Sequence, residues 1–291
     1  MGRIYPMLDQ LNIEILFVNN GTDGSEDLVS RAFPQVRIVP SQGNIGFGRA
    51  NNLLSQHAKG QCLLLLNPDT EASPKSIAAL MTAAKDNPEY PIFGAVTLTR
   101  RDGSQHFPQM ELPGMGSLAR GIIGRSARPL ALRQADRLIP VNCVSGGCMM
   151  VRRDAWDDLD GFDEKFFLYA EDIDLCKRAQ LSGFNLALVR DAQIFHDLGS
   201  GHYFAPKRLL LQMRGNAHYF RKHCNPVHAI GCIAVMWLSA LVRFVVGGLM
   251  GIRDKKYRQM SAGFAAIALR PWAWWQGYPK NRNRRQGKIT P

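Results

Sequence analysis

The stretch Cys62-Leu-Leu-Leu-Leu-Asn-Pro-Asp69 decides the fold. Its continuous apolar run is what a strand covered on both faces requires, since neither side of such a strand meets water. Asn67-Pro-Asp69 ends the run, and Ser73-Pro74 opens a helix with proline at its first position. Upstream the alternation repeats. Ile13-Glu-Ile-Leu-Phe-Val18 is a β-rich run closed by the dense turn signal Asn19-Asn-Gly-Thr-Asp-Gly-Ser25. Ser25 or Asp23 is placed to cap a helix through Leu28, Val29, Ala32 and Phe33. Val36-Arg-Ile-Val39 reads as a second strand, Gly43 to Gly48 as a glycine-rich turn, and Arg49 to Ala58 as a helix.

Downstream, residues 100–140 carry many Arg, Gly and Pro with weak periodicity and read as a mobile insertion or lid. Val141 to Val151 is apolar around Gly146-Gly147 and predicts one strand with a close backbone approach. Asp163 to Leu168 leads into Tyr169-Ala-Glu-Asp-Ile-Asp-Leu175, then a helix to Leu181 that Gly183 ends. Leu186 to Val189 and Ile194-Phe195 are strand pieces before His196. Strands alternating with helices predict an α/β fold with a mostly parallel sheet flanked by helices.

The 291 residues are 46% hydrophobic and 21% charged, which excludes a disordered or collagen-like chain. Charge is divided unevenly. Residues 203–291 hold 16 basic residues and one acid, Asp254, whereas residues 1–202 are close to neutral. This pattern predicts a body over residues 1–202 and an apolar, basic helical region over residues 203–291. The six cysteines show no C-x-x-C pair and no zinc-ligand spacing, and most lie in apolar runs, as free thiols in a reducing compartment do. The N-terminal residues Met-Gly-Arg-Ile-Tyr-Pro show neither a secretory h-region nor a myristoylation signal.

In open α/β sheets ligands bind beyond the carboxyl ends of the strands. Four polar clusters fall there: Asn19 to Ser25, Gly43 to Asn52, Asn67-Pro-Asp69 and Glu171-Asp172. Taken singly, each also reads as a plain turn, a helix cap or a solvated helix start. Their order along the chain is what argues for a site.

These runs resemble the inverting family 2 glycosyltransferases, rhamnosyltransferase-like subgroup. Val18-Asn-Asn-Gly-Thr-Asp-Gly-Ser25 looks like the family's nucleotide-binding turn. Gly43-Asn-Ile-Gly-Phe-Gly-Arg-Ala-Asn-Asn52 looks like its N-x-G-F-x-x-A-N-N segment, and Leu66-Asn-Pro-Asp69 stands where its D-x-D-type metal motif is expected. Val144-Ser-Gly-Gly-Cys-Met-Met-Val-Arg-Arg-Asp154, Gly161-Phe-Asp-Glu164 and Phe167-Leu-Tyr-Ala-Glu-Asp-Ile-Asp-Leu175 look like its acceptor-side and E-D motifs. The match runs from about Ile13 to Ser200 and implies a GT-A fold and transfer from a nucleotide-sugar donor, a dTDP- or UDP-sugar such as dTDP-rhamnose.

The resemblance also implies roles. Asp172 is the base and Glu171 its neighbour, orienting the acceptor or raising the pKa of the base by like charge. Asn19, Asp23, Asn44, Gly46, Phe47, Asn51 and Asn67 bind the nucleotide-sugar, with the Asn19 amide oxygen accepting the N–H of the nucleobase. Gly146, Gly147 and Tyr169 meet the acceptor, the glycines by allowing a close approach. Asp69 and His196 bind Mg²⁺ or Mn²⁺, although His196 also reads as a structural histidine. Asn67 departs from an acid-first metal motif. Asp174 reads as a cap or structural acid. The family's opening strand has no counterpart here, because only residues 3–11 precede Ile13, read as the end of the first helix. Either the start lies further upstream or the chain is a truncated, non-catalytic nucleotide-sugar-binding copy. A nucleotidyltransferase would want a basic, glycine-rich opening near the N-terminus, and none is present.

Ala229 to Ile252 is 24 residues with one charge, Arg243, long enough to span a bilayer. An arginine near a helix centre costs about 2.5 to 3.5 kcal/mol on insertion scales, so an in-plane helix competes with a span. Flanking basic residues suit an anionic membrane surface, and Trp272, Trp274 and Trp275 suit an interfacial belt. A buried core helix with a solvated basic end is the other reading. A basic stripe also suits RNA, but no RNA-binding motif accompanies it, so nucleic acid is not an expected partner. A membrane seat at the cytoplasmic face, peripheral or with one C-terminal span, fits a saccharide or polyprenyl-diphosphate-linked acceptor.

Overall fold

The computed structural model describes residues 2, 5–98, 105–106, 111–122, 137–196 and 204–279, with the backbone alone at Met7, Gln105, His106 and His196. After a 3₁₀ turn at Tyr5–Met7 the elements run α1 (Leu8–Leu11), β1 (Leu16–Phe17), α2 (Ser25–Ala32), β2 (Arg37–Ile38), α3 (Phe47–His57), β3 (Cys62–Leu66), β4 (Thr70–Ala72), α4 (Pro74–Asp86), β5 (Ile92–Leu98) and β6 (Gln105–His106). They continue as α5 (Met115–Ile122), β7 (Leu138–Val141), β8 (Cys148–Arg152), α6 (Arg153–Asp158), α7 (Glu171–Leu181) and β9 (Leu186–His196). The last three are α8 (Pro206–His223), α9 (Pro226–Met250) and α10 (Lys255–Ala268). Two compact units result: Met1–Leu112 with Ala131–Glu164 and Asp172–Asp197, and Pro113–Leu130 with Lys165–Glu171 and Leu198–Pro291. The second unit thus holds residues 113–130, 165–171 and 198–202, which the sequence reading put in a 1–202 body. Most of the expected lid at residues 100–140 lies outside the described residues.

In the first unit the apolar run of β3 forms the expected strand, and Ser73 caps α4 by accepting the N–H of Ser76 at 3.1 Å. The strand sense differs from the expectation of a mostly parallel sheet. The main sheet runs β3-β8-β5-β9-β4, and of these pairs only β5–β9 is parallel. β1 and β2 pair in parallel in a sheet of their own. The reason lies in β8, which enters between β3 and β5 antiparallel to both after the long excursion that follows β6. The single strand expected over Val141–Val151 is likewise two. β7 pairs with β9, β8 pairs with β3 and β5, and Val144 to Gly147 forms the turn that frees them to do so. Conversely, the two pieces expected at 186–195 are one strand, carried past a register shift opposite Ala95 and Val96. The core lies between α4 and the sheet, where Ile77, Leu80, Phe93, Met150, Ala187 and Ile194 are buried together.

In the second unit α9 packs along α10 and also against α5 and α8. The segment 165–171 belongs here because the Tyr169 carbonyl packs against Gly215 of α8 where a Cβ would overlap it, so only glycine lets the two backbones meet. The expected tryptophan belt is corrected. Trp272 is 74% exposed, but Trp274 is fully buried and donates its indole N–H to the Ile267 carbonyl at 3.1 Å.

Candidate active site

The site builds from α7 upward. Asp172 and Cys176 are four residues apart, which puts them on one face of the helix. Both meet the turn after β7: the Gly146 N–H donates to Asp172 Oδ2 at 2.9 Å, and the Val144 N–H donates to Cys176 Sγ at 3.3 Å. Asp172 Oδ1 accepts the N–H of Ile173 at 2.8 Å. Burial pushes the Asp172 carboxyl up from the ordinary 3.8, against the opposite pull of the N–H groups of Gly146, Ile173 and Asp172 itself. Burial is thus the main cause, in place of the like charge of Glu171 expected from the sequence. All six cysteines are free thiols, and a hydrogen bond with Cys176, followed by burial, pushes the Cys143 thiol well above its usual value.

The same turn holds the end of β3. The Gly147 carbonyl accepts the Asn67 N–H at 3.0 Å and the Thr70 hydroxyl at 3.3 Å. Adjacent glycines therefore tie Asp172 on one side and the Asn67–Asp69 turn on the other. Asp69 is exposed on that turn. Thr70 is the register partner of His196 across β4 and β9, so the two expected metal-binding positions lie at one end of the sheet. An ion such as Mg²⁺ binds one or two carboxylates and completes its shell with phosphate and water, so a single hard oxygen donor at Asp69 fits. Among the described residues no three His, Cys, Asp or Glu side chains gather as a self-sufficient metal site.

Most of the residues expected on the donor side fall at two other turns, 19–25 and 43–48. Asn20, which the sequence reading passed over, accepts the Ile45 N–H at 3.0 Å and donates to the Gly46 carbonyl at 3.1 Å, tying the 19–25 turn to the start of α3. Asn44 Oδ1 accepts the Gly46 N–H at 3.3 Å, and Gly46 has a φ of 88°, a value suited to glycine. Asn19 is buried. Its amide oxygen accepts the Gly21 N–H at 2.9 Å, and its amide nitrogen donates to Asp23 at 3.0 Å and to Glu26. Asp23 also accepts from the Ser25 N–H and hydroxyl, which holds its carboxyl below the ordinary 3.8. The residue at the helix cap is neither Ser25 nor Asp23 but Gly24, with a φ of 69°. Asn51 bonds within its own helix, donating to the Phe47 carbonyl at 2.9 Å.

Phe47 connects the start of α3 with the turn that holds Gly146. A Cβ on Gly146 would lie 3.2 Å from the Phe47 ring and 3.4 Å from the Asp172 Cβ, so this glycine keeps three groups in contact. Phe47 packs on Phe162 with ring centres 5.8 Å apart. Asn52 clamps that residue, donating to its carbonyl at 2.8 Å and accepting its N–H at 2.9 Å. On the next face of α7, Asp174 is fully buried and pairs with Arg178 at 2.8 Å. Arg178 also donates to the Leu159 and Gly161 carbonyls, which fixes the loop ahead of Phe162. The i, i+4 spacing of Asp174 and Arg178 is the signal that could have found this pair. In the second unit, Tyr169 and Ala170 have φ values of 70° and 69°, a left-handed pair rare for non-glycine residues, directly before the buried Glu171.

Comparison with known proteins gives this geometry its class. Residues 4–160 match the sequence profile described as Glycosyl transferase family 2, and residues 128–198 match one described as the N-terminal domain of galactosyltransferase. The chain belongs to glycosyl transferase family 2, and its fold is of the GT-A type. It is 32% identical over 208 residues to the N-acetylglucosaminyl-diphospho-decaprenol L-rhamnosyltransferase of Mycobacterium tuberculosis strain H37Rv, covering 63% of this chain and 66% of that protein. It is 27% identical over 167 residues to the low-salt glycan biosynthesis hexosyltransferase Agl10 of Haloferax volcanii, covering 56% of this chain and 52% of that one. The shared span is thus between half and two thirds of these relatives. A solved mannosyltransferase from Pyrobaculum calidifontis, in complex with GDP-Man and Mn²⁺, superposes with a TM-score of 0.54 at 16% identity over 93% of this chain and 83% of that one. At that identity the likeness shows the fold alone.

Proposed function

We propose that this chain is an inverting glycosyltransferase that moves a sugar from a dTDP- or UDP-sugar, with dTDP-rhamnose the leading candidate, to a saccharide or polyprenyl-diphosphate-linked acceptor. One observation carries the reading: the adjacent residues Gly146 and Gly147 bond to Asp172 and to the turn that holds Asp69. The relation to a decaprenol-linked rhamnosyltransferase supports the donor and acceptor classes.

In the proposed reaction the acceptor hydroxyl attacks the anomeric carbon from the face opposite the diphosphate. The new C–O bond forms as the bond to the diphosphate oxygen breaks, and the hydroxyl proton passes to Asp172. The raised pKa of Asp172 makes it a better proton acceptor than a solvated aspartate. Asp69, with His196 at the same sheet end, would hold Mg²⁺ or Mn²⁺, whose charge offsets that growing on the departing diphosphate. Asn19, Asp23, Asn44, Gly46, Phe47, Asn51 and Asn67 bind the donor. Gly146, Gly147 and Tyr169 line the acceptor side, where Glu171 orients the hydroxyl. The body at residues 1–202 does this chemistry, and residues 203–291 seat it on the cytoplasmic face of the plasma membrane for surface-polysaccharide synthesis.

A donor panel tests the reading: nucleoside diphosphate release with Mg²⁺, with Mn²⁺ and with a chelator, and the anomeric configuration of the product. Acceptor-dependent release that chelation stops, with an inverted product, is expected. A retained configuration, or turnover indifferent to acceptor, would overturn it. The alternative reading, a non-catalytic copy that binds the nucleotide-sugar without turnover, predicts a different outcome in the same panel. Saturable donor binding with no transfer to any acceptor would select it.

A further inference from the structure

Helix α9 has two apolar faces. Ala229, Cys232, Ile233, Met236, Ala240 and Gly247 are buried against the rest of the second unit. On the opposite side Val227, Ile230, Leu238, Val245 and Leu249 are exposed, Val227 at 83% and Leu249 at 70%. Spacings of three, four, seven and eight residues, with the adjacent pair Cys232 and Ile233, keep each set on its own side along the helix. The one charge, Arg243, belongs to the protein side. It donates to the Ser239 carbonyl at 3.1 Å and the Gly121 carbonyl at 2.8 Å, and lies 5.6 Å from the Phe264 ring centre. The outer stripe is therefore free of charge. Beyond α9, Ile252, Leu269 and Trp272 are also exposed, as are the basic residues Arg253, Lys255, Lys256 and Arg270, with one acid, Asp254, among them.

We infer that this stripe is a monotopic membrane-docking face, on which α9 lies in the plane of an anionic leaflet and does not cross it. By length and composition alone α9 could span. Its packing argues otherwise. The protein-facing side is occupied from Ala229 to Gly247, chiefly by α10, so a crossing α9 would carry α10 into the bilayer. α10 opens with Lys255, Lys256 and Arg258, and its 14 residues reach only about 21 Å of a hydrocarbon core of about 30 Å. A second copy is a poorer occupant than lipid. A symmetric interface sets identical patches face to face and would oppose these basic residues to their own kind, whereas anionic headgroups complement them.

The inference rests on the membrane-seated reading above but is tested apart from catalysis. Full-length protein is floated with phosphatidylcholine vesicles, with and without phosphatidylglycerol. The expected result is flotation strengthened by phosphatidylglycerol and weakened at least about tenfold by Leu238→Glu with Val245→Glu, but not by Leu28→Glu on α2. In a Cys224→Ser background, His228→Cys and Arg253→Cys are then labelled with a membrane-impermeant maleimide on sealed vesicles. Labelling of both ends from outside supports the in-plane seat. If one end labels only after detergent, α9 spans and the inference fails. It also fails if the chain does not float and instead dimerises with rising concentration. Asp172→Asn must float like the parent, and Leu238→Glu must keep transfer to a soluble acceptor in detergent. Loss of docking is thereby told apart from loss of the catalytic reading.

Discussion

The N–H of Gly146 donates to Asp172 Oδ2 across 2.9 Å, and the neighbouring Gly147 carbonyl receives the N–H of Asn67 at 3.0 Å. A single turn between β7 and β8 thereby sets the position of Asp172, the proposed base, and of the turn that carries Asp69. Gly146→Ala tests that coupling. The added methyl meets the Phe47 ring at 3.2 Å, so the ring or α7 must shift. Turnover should fall about tenfold or more, since small misplacements of reacting groups are costly. Overpacking of this kind costs about 1 to 3 kcal/mol, so a thermal melt should drop by only a few degrees. Unchanged kcat would show that the turn does not position Asp172.

Burial raises the Asp172 carboxyl above 3.8. The base works only when deprotonated, so the acid limb of the kcat/KM profile should fall at a pH above that of a solvated aspartate. The stability term has a definite sign. A folded pKa above the unfolded one favours the fold at pH values below the unfolded pKa, and that favour is lost as pH rises through the folded value. An acid limb at or below 3.8 in an enzyme that is still folded would remove Asp172 from the role of base.

Arg178→Ala leaves Asp174 buried without its ion pair and releases the Leu159 and Gly161 carbonyls. Breaking a buried pair costs about 3 to 5 kcal/mol, so chemical denaturation should show a loss of that order. Arg178→Lys should recover only part of it, because an ammonium cannot reach the acid and both carbonyls with a planar fork. A loss below about 1 kcal/mol would mean that the pair contributes no more than a surface one.

Asp69→Asn should raise the Mn²⁺ concentration needed for half-maximal activity by about tenfold or more, while thermal stability stays near the parent's because the side chain is exposed. The same metal dependence in parent and variant would place the cation elsewhere.

The elements set by local chemistry were legible from the sequence. The β3 run, the Ser73-Pro74 helix start and the Gly183 helix stop, with its φ of 81°, each need only their neighbours. Features that depend on distant pairing were not legible. β8 runs antiparallel between two strands far from it in sequence, and nothing within residues 148–152 encodes that sense. Trp272 and Trp274 share one apolar stretch, yet only Trp274 finds a carbonyl for its N–H and is buried. At the site, the motif points to Asn19, which is buried within its own turn, whereas the side chain that ties the 19–25 turn to the start of α3 is that of Asn20, and a tandem pair of asparagines gives no sign of which one reaches across.

The most direct measurement is steady-state transfer by Asp172→Asn, read beside donor affinity. Removal of a general base should lower kcat by about 10² to 10⁴ while donor binding stays within about twofold. Turnover equal to the parent's, with donor bound equally well, would contradict the assignment of Asp172 as the group that takes the acceptor's proton.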